Sequence, residues 1–413
     1  MTQMPTLSIF TASVGFHTAG HTLPSKLRSI ANAGFEAVEI FQDDLDAFAA
    51  SDEFAIIYKA LTPPSSPQYG KRVLHDNEIA STSSTTLSNE TVTQEKTAWN
   101  AHGPCTPFEA QREIVCASYI RGICASLGLQ ILSLQPMRDV EGWKDSQKRK
   151  HAIERVRSRF AVMRALGTDL LLCCSNCQPE DQITNDIDQC AEDFAILADE
   201  AARFETTITP MLNENTIIAP QQQSTKPLRI AFEGLSWGTY IDRWDQAYAI
   251  VEKVDRKNFG LCFDSFNTLG RQFADPCSPS GIQEPIAETE KALKASLEAI
   301  PVKVPAEKVF FLQVGDARKM QVPLEPSPNP NEPRPARMIW SRGNRLYPGE
   351  FDRGAFMPTL DFVKAVHSTG YKGPWSIEVF NSSLHEPGQE VQKEHAERGH
   401  KGLVWLINQV ITA

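Results

Sequence analysis

Between residues 259 and 267 the chain reads FGLCFDSFN, and Asp264 stands at the end of this apolar run. A carboxylate that stays ionised beside Phe263 and Phe266 needs a partner, because desolvating an unpaired charge costs several kcal/mol or shifts its pKa. Three more oxygen-bearing residues hold the same kind of place: Glu233 follows RIAF, Gln313 follows VFFL and Glu378 follows WSI. Three carboxylates and an amide brought together would repel and hold protons, whereas a divalent cation would neutralise them. An all-oxygen set without Cys or His suits Mg2+ or Mn2+ better than Zn2+ or Cu2+. Held with open positions, such an ion polarises a substrate carbonyl and lowers the cost of removing the adjacent proton. Isomerisation, epimerisation and β-elimination all begin that way. The competing arrangement pairs each carboxylate separately with Arg or Lys at a rim.

The elements that must position these residues are eight apolar or β-branched runs with helical patterns between them. They are LSIFTASV (7–14), AVEIF (37–41), QILSLQP (130–136), DLLLCCS (169–175), LRIAFEG (228–234), FGLCFDSF (259–266), KVFFLQVG (308–315) and PWSIEVF (374–380). Helix punctuation lies between them. Thr22 and Pro24 open a helix with Leu27, Ile30 and Ala31 on one face, Gly34 follows it, and Gly128, Gly167 and Gly370 precede strands. Buried parallel strands read as continuous apolar runs, and eight alternating with helices predict an α/β fold of the (β/α)8 TIM barrel type. An open doubly wound sheet is the structural rival. In a closed barrel the carboxyl ends of consecutive strands converge on one face, which would gather Glu233, Asp264, Gln313 and Glu378 around one centre.

The 413 residues are expected to form one barrel domain, 1–413, with three long excursions. A polar insert at 62–108, with PPSSP and STSSTT, follows the second strand; a smaller one at 206–227, with QQQSTKP, precedes the fifth; and a loop region at 322–357 follows the seventh. Loops on the carboxyl side of barrel strands build active sites, so the last is expected to shape the pocket.

The formal charge of -10 carries no basic block, which points away from nucleic acid and anionic membranes and toward small molecules. The start, MTQMPTLSIF, has no positive segment followed by a long apolar one, and the chain is expected to be cytoplasmic. Nine cysteines fit reduced thiols there, and Cys174-Ser-Asn-Cys177, a lone CxxC, is read as core and rim thiols. Asn89 and Asn381 match the glycosylation pattern by chance on this reading. Trp237, Trp244 and Trp340 could wall a pocket or pack a rim, and no GxGxxG or P-loop follows a strand, so no nucleotide cofactor is expected.

Several longer segments sharpen this picture: AGHTLPSKL (19–27), LQPMRDVEG (134–142), FEGLSWGTYIDRW (232–244), GLCFDSFNTLGRQFADPCSPSG (260–281), ARMIWSRGNRLYPGEFDRGAF (336–356) and WSIEVFN (375–381). In these the chain resembles the xylose-isomerase-like barrel superfamily, and more closely the 3-dehydroshikimate dehydratases of fungal quinate catabolism. The resemblance implies conversion of 3-dehydroshikimate to protocatechuate with a divalent metal held by Glu233, Asp264, Gln313 and Glu378. It further implies that Arg138 binds substrate and that Ser341 and Arg345 contact it, in keeping with the preference of a carboxylate for an arginine fork. One position departs. Asn267 stands where bacterial-type members carry a histidine that is a candidate base, and asparagine takes no proton at neutral pH. His17 and His21, in the loop after the first strand, and His102 have the right pKa range for that task, and a loop or hydrogen-bonding role is their alternative. The expected partner is a small carboxylate substrate, met by the chain alone or as a homo-oligomer. A sugar or inositol isomerase or epimerase shares the metal and the first step, and a catalytically inactive barrel that binds the same metabolite is a reading from another class.

Overall fold

The computed structural model describes residues 4–62, 97–205, 226–326 and 331–411. Eight parallel strands close into a barrel: β1 (Leu7–Phe10), β2 (Ala37–Phe41), β3 (Gln130–Met137), β4 (Leu170–Cys174), β5 (Arg229–Glu233), β6 (Phe259–Asp264), β7 (Val309–Val314) and β8 (Trp375–Ile377). Each strand pairs with its sequence neighbours, and β8 returns to β1 with Leu7 opposite Trp375. The closure removes the open-sheet alternative, since no strand is left with a free edge. All eight apolar runs become the eight staves, because a stave covered by helices outside and by side chains inside is apolar on both faces.

Closure needs tight approaches at particular residues. A Cβ on Gly260 in β6 would stand 2.7 Å from the Lys308 carbonyl oxygen and 2.6 Å from a Phe310 ring carbon, so only glycine lets the neighbouring chain lie that close. Gly167 ends the helix Ser146–Leu166 at φ 79°, a left-handed cap that turns the chain into β4. The helix Leu23–Asn32 begins as its punctuation predicts, with Thr22 before it and Pro24 in its first turn, and it buries Leu27 and Ile30. Its buried Lys26 donates to Asp44 Oδ1 at 2.6 Å, and Thr11 donates to Oδ2 of the same carboxylate at 2.8 Å.

The interior is layered. Leu172, Ala231, Cys262 and Phe311 form an apolar floor, each 4% exposed or less. Above it Ser133, Gln135, Gln313 and Ser376 surround Glu39 of β2. The helices wrap this barrel over a continuous outer core from Ile9 to Ile407.

Residues 63–96 and 206–225, which hold most of the two predicted polar inserts, lie outside the described residues. The end of the first expected excursion is ordered: Ala98–Trp99 pairs antiparallel with Pro104–Cys105, and Thr106 caps the helix Pro107–Ser126 with a reciprocal Thr106–Glu109 box. The region 322–357 is more regular than its proline-rich sequence suggests. It contains the helix Ala336–Asn344 and a short strand, Arg345–Leu346, paired antiparallel with Asp316–Ala317. All nine cysteines are free thiols. No helix among the described residues is long and apolar enough to cross a membrane.

Candidate metal centre and its cavity

Alternation along the strands sends every second side chain inward, which carries the polar residues at the ends of β5, β6, β7 and β8 to one place. One carboxylate oxygen from each of Glu233, Asp264 and Glu378 lies within 4.8 Å of the others, and all three side chains are buried. The positive partner that Asp264 demands is Arg345. Its Nη1 donates to Asp264 Oδ2 at 2.8 Å and to Glu378 Oε2 at 2.9 Å, and its Nε donates to Ser341 Oγ at 3.1 Å. The guanidinium carbon lies 4.2 Å from the Phe266 ring centre and 5.1 Å from that of Phe380, so aromatic faces complete its burial.

One guanidinium does not balance three carboxylates. Burial, reinforced by the neighbouring Asp264, pushes Glu233 up to about 7. Burial also raises Glu378 well above the usual carboxylate range, with Asp264 and Glu233 adding to the effect and Arg345 opposing it. Three convergent hard oxygens with an excess of negative charge fit a divalent cation, so the residues present pass the chemical test for such a group.

Asn267 ties this cluster together: its Nδ2 donates to Glu233 Oε1 at 2.6 Å and its backbone N donates to Asp264 Oδ1 at 2.7 Å. Gln313 joins by its amide nitrogen. That nitrogen donates to Glu39 Oε2 at 2.8 Å and contacts Glu378 Oε1 at 3.4 Å, while the amide oxygen accepts from Cys262 Sγ at 3.2 Å. A half-turn of the amide would turn its oxygen toward the space between the carboxylates, where a cation is expected to sit.

Above the cluster opens a small cavity of about 60 Å³, lined on its acidic side by Glu233 and Glu378 and on another by Arg138, Arg342 and Arg345, with Phe10, Trp237, Met338 and Phe380 as apolar walls. Arg138 lines this cavity, half-exposed, with its Nη2 3.6 Å from Asp43. Four other expected residues do not line it. Ser341 is wholly buried behind Arg345 and holds its Nε, so it positions the arginine and does not line the cavity. His21 is buried between the Glu386 carbonyl, which its Nε2 contacts at 2.8 Å, and Gln392, away from the cavity. His17 faces Asp44 at 3.6 Å, and His102 is exposed beside Asp46. Imidazole chemistry suits a base, and loop geometry places these three histidines elsewhere. Trp244 and Trp340 pack in the core, and Asn381, 7% exposed, uses its amide to hold the Arg345 carbonyl at 2.9 Å.

Glu39 is a buried carboxylate beneath this cluster that strand-end reasoning missed. Four donors converge on it: Ser376 at 2.5 Å, Gln135 at 2.6 Å, Gln313 at 2.8 Å and Ser133 at 3.3 Å. Burial nevertheless raises it to about 8. The signal was present, since a glutamate inside AVEIF interrupts an otherwise apolar stave.

Glu141, near the cavity on the loop after β3, is fully buried and raised to about 8 by burial, and its Oε2 has no hydrogen-bond partner. Its folded pKa lies above the unfolded value, so folding opposes its ionisation. The stability it permits is fully present below about pH 4.5 and is lost as pH rises toward about 8. Glu141→Gln is expected to flatten that alkaline decline. Thermal melts of both proteins from pH 5 to 9 test this, and parallel pH profiles would reject it.

The closed (β/α)8 barrel has a name among known folds: this chain belongs to the xylose isomerase-like TIM barrel family. The family's model matches residues 99–401. Among curated relatives, the chain is 33% identical to a 3-dehydroshikimate dehydratase of Neurospora crassa, over 95% of this chain and 91% of that one. It is 28% identical to a 3-dehydroshikimate dehydratase of Pseudomonas aeruginosa over 88% of this chain, which spans 37% of the bacterial protein. Among solved structures, a xylose isomerase-like TIM barrel/4-hydroxyphenylpyruvate dioxygenase fusion protein superposes with a TM-score of 0.61 at 25% identity, covering 99% of this chain and 43% of that one.

Proposed function

We propose that the chain is a 3-dehydroshikimate dehydratase, a lyase that removes water from its substrate to give protocatechuate. One observation carries this reading: the likeness to the fungal dehydratase runs along nearly the full length of both chains. Glu233, Asp264 and Glu378, with Gln313 beside them, would hold a divalent cation, Mg2+ or Mn2+ by the hardness of the donors, and when bound it polarises the substrate ketone.

The chain's own residues account for the remaining work. Arg345 neutralises Asp264 and Glu378 enough for them to occupy one site, and Asn267 fixes one oxygen of Glu233 and one of Asp264. The cavity wall contains no histidine among the described residues, and burial pushes its thiols up, Cys177 to about 11 and Cys174 further. Glu233 and Glu378 are then the groups able to accept a proton from the carbon beside the ketone. Loss of that proton, departure of the β-hydroxyl as water and loss of a second ring proton to the former ketone oxygen leave an aromatic diol. Aromatisation draws the sequence forward. The walls of Phe10, Trp237, Met338 and Phe380 shield the ring from bulk water.

Incubation of the purified protein with 3-dehydroshikimate and Mn2+ or Mg2+ is expected to give an ultraviolet-absorbing aromatic product of protocatechuate mass. A non-aromatic isomer would assign the chain to the isomerase and epimerase chemistry that shares the first step. Binding of the compound without turnover would make it a metabolite-binding protein.

A further inference from the structure

Three guanidiniums line the cavity, and they are not equivalent. Arg345 is committed to Asp264, Glu378 and Ser341. Arg138 is half-exposed and has Asp43 beside it. Arg342 lies on the helix Ala336–Asn344, one turn beyond Met338, so both residues look into the cavity from one face. It makes no ion pair or hydrogen bond with any described residue. Its guanidinium carbon rests 4.5 Å from the Phe380 ring centre, on the ring that also flanks Arg345.

We propose that Arg342 is the residue that binds the substrate's carboxylate and selects for it, a role that the family resemblance implies for Arg138 and Arg345 instead. This rests on the dehydratase reading of the same cavity. An arginine with its five donors unused, walled by an aromatic face and opening on a cavity, offers the planar fork that a carboxylate meets with two parallel hydrogen bonds. Its electrostatic surroundings ask for an anion: burial, followed by repulsion from Arg138 and Arg345, pushes its pKa down to about 10. A ring carboxylate docked there relieves that repulsion. The acidic cluster on another side of the cavity repels the same group, so the two walls together orient the ring with its carboxylate at Arg342 and its ketone toward Glu233 and Glu378. Stacking on Phe380 holds the fork in plane, which a lysine at this position would not reproduce.

The test compares wild type, Arg342→Met and Arg342→Lys. Arg342→Met is expected to raise KM for 3-dehydroshikimate about 10- to 100-fold, the range for one charge-assisted pair, with a much smaller change in kcat. Arg342→Lys should recover part of the loss. Calorimetric binding of protocatechuate should weaken to a similar extent, while catechol, the same diol without the carboxylate, should bind all three proteins within about two-fold of one another. Unchanged protocatechuate affinity, or equal losses for protocatechuate and catechol, overturns the proposal. The two binding arms do not depend on turnover. A wild type that discriminates protocatechuate from catechol through Arg342 yet forms no product keeps this inference and removes the dehydratase reading.

Discussion

Stripping divalent cations from the protein with a chelator is expected to abolish protocatechuate formation, and Mn2+ or Mg2+ added back to chelator-free protein restores it. The geometry behind this is the set of three carboxylate oxygens within 4.8 Å of one another, whose charge the single guanidinium of Arg345 does not balance. Without a further cation, Glu233 and Glu378 are raised toward their protonated forms and the ketone has no electrophile facing it. Carbonyl polarisation by a bound ion contributes several kcal/mol at the transition state, so the loss should be at least about 1,000-fold. Glu378→Gln removes one of the oxygens and should stay near that depressed rate at any metal concentration. Full turnover by metal-free protein would show that Arg345 and the carboxylates suffice and would sink the metal-centred mechanism.

Arg345→Met is expected to cause the largest stability loss of any substitution at the site, and the loss should depend on metal. The guanidinium is 1% exposed and serves Asp264 and Glu378 together. Removing one partner from a buried ion pair costs about 3–5 kcal/mol, because the remaining charges are left uncompensated. In metal-free protein the variant should therefore unfold at clearly lower denaturant concentration than wild type. Saturating Mn2+ should narrow the gap, since the ion binds the folded form and neutralises the same two carboxylates. A gap indifferent to Mn2+ would place the ion and the arginine on separate groups. Ser341 and Asn381 hold the arginine in place, so their substitution should produce smaller effects of the same kind.

The barrel was legible because burial on both faces leaves a plain mark: AVEIF, LLLCC and FGLCF are strands whose polar neighbours had to lie elsewhere. The acidic set was legible for the converse reason. Asp264 and Glu378 interrupt such runs at their carboxyl ends, where the topology brings them together. What the residues did not disclose is which side chain would face them. Arg345 lies 81 positions from Asp264, on a short strand after a proline-rich stretch, and its ion pairs arise from a ladder with Asp316–Ala317 that no periodicity announces. Glu39 escaped because attention to strand ends passes over a charge in the middle of a stave. His17 and His21 have the chemistry of a base but no spacing that fixes their direction, and the turn after β1 carries them to Asp44 and Gln392. Arg342 stands next to a residue that the family likeness emphasised, and only its missing partner distinguishes it.

The apolar floor of Leu172, Ala231, Cys262 and Phe311 has a consequence for traffic. With that plug closing the barrel below Glu39, a small molecule that enters at the mouth leaves by the same door. Arrival and departure therefore compete for one passage, and a newly formed aromatic acid must clear the arginine wall before its successor can dock.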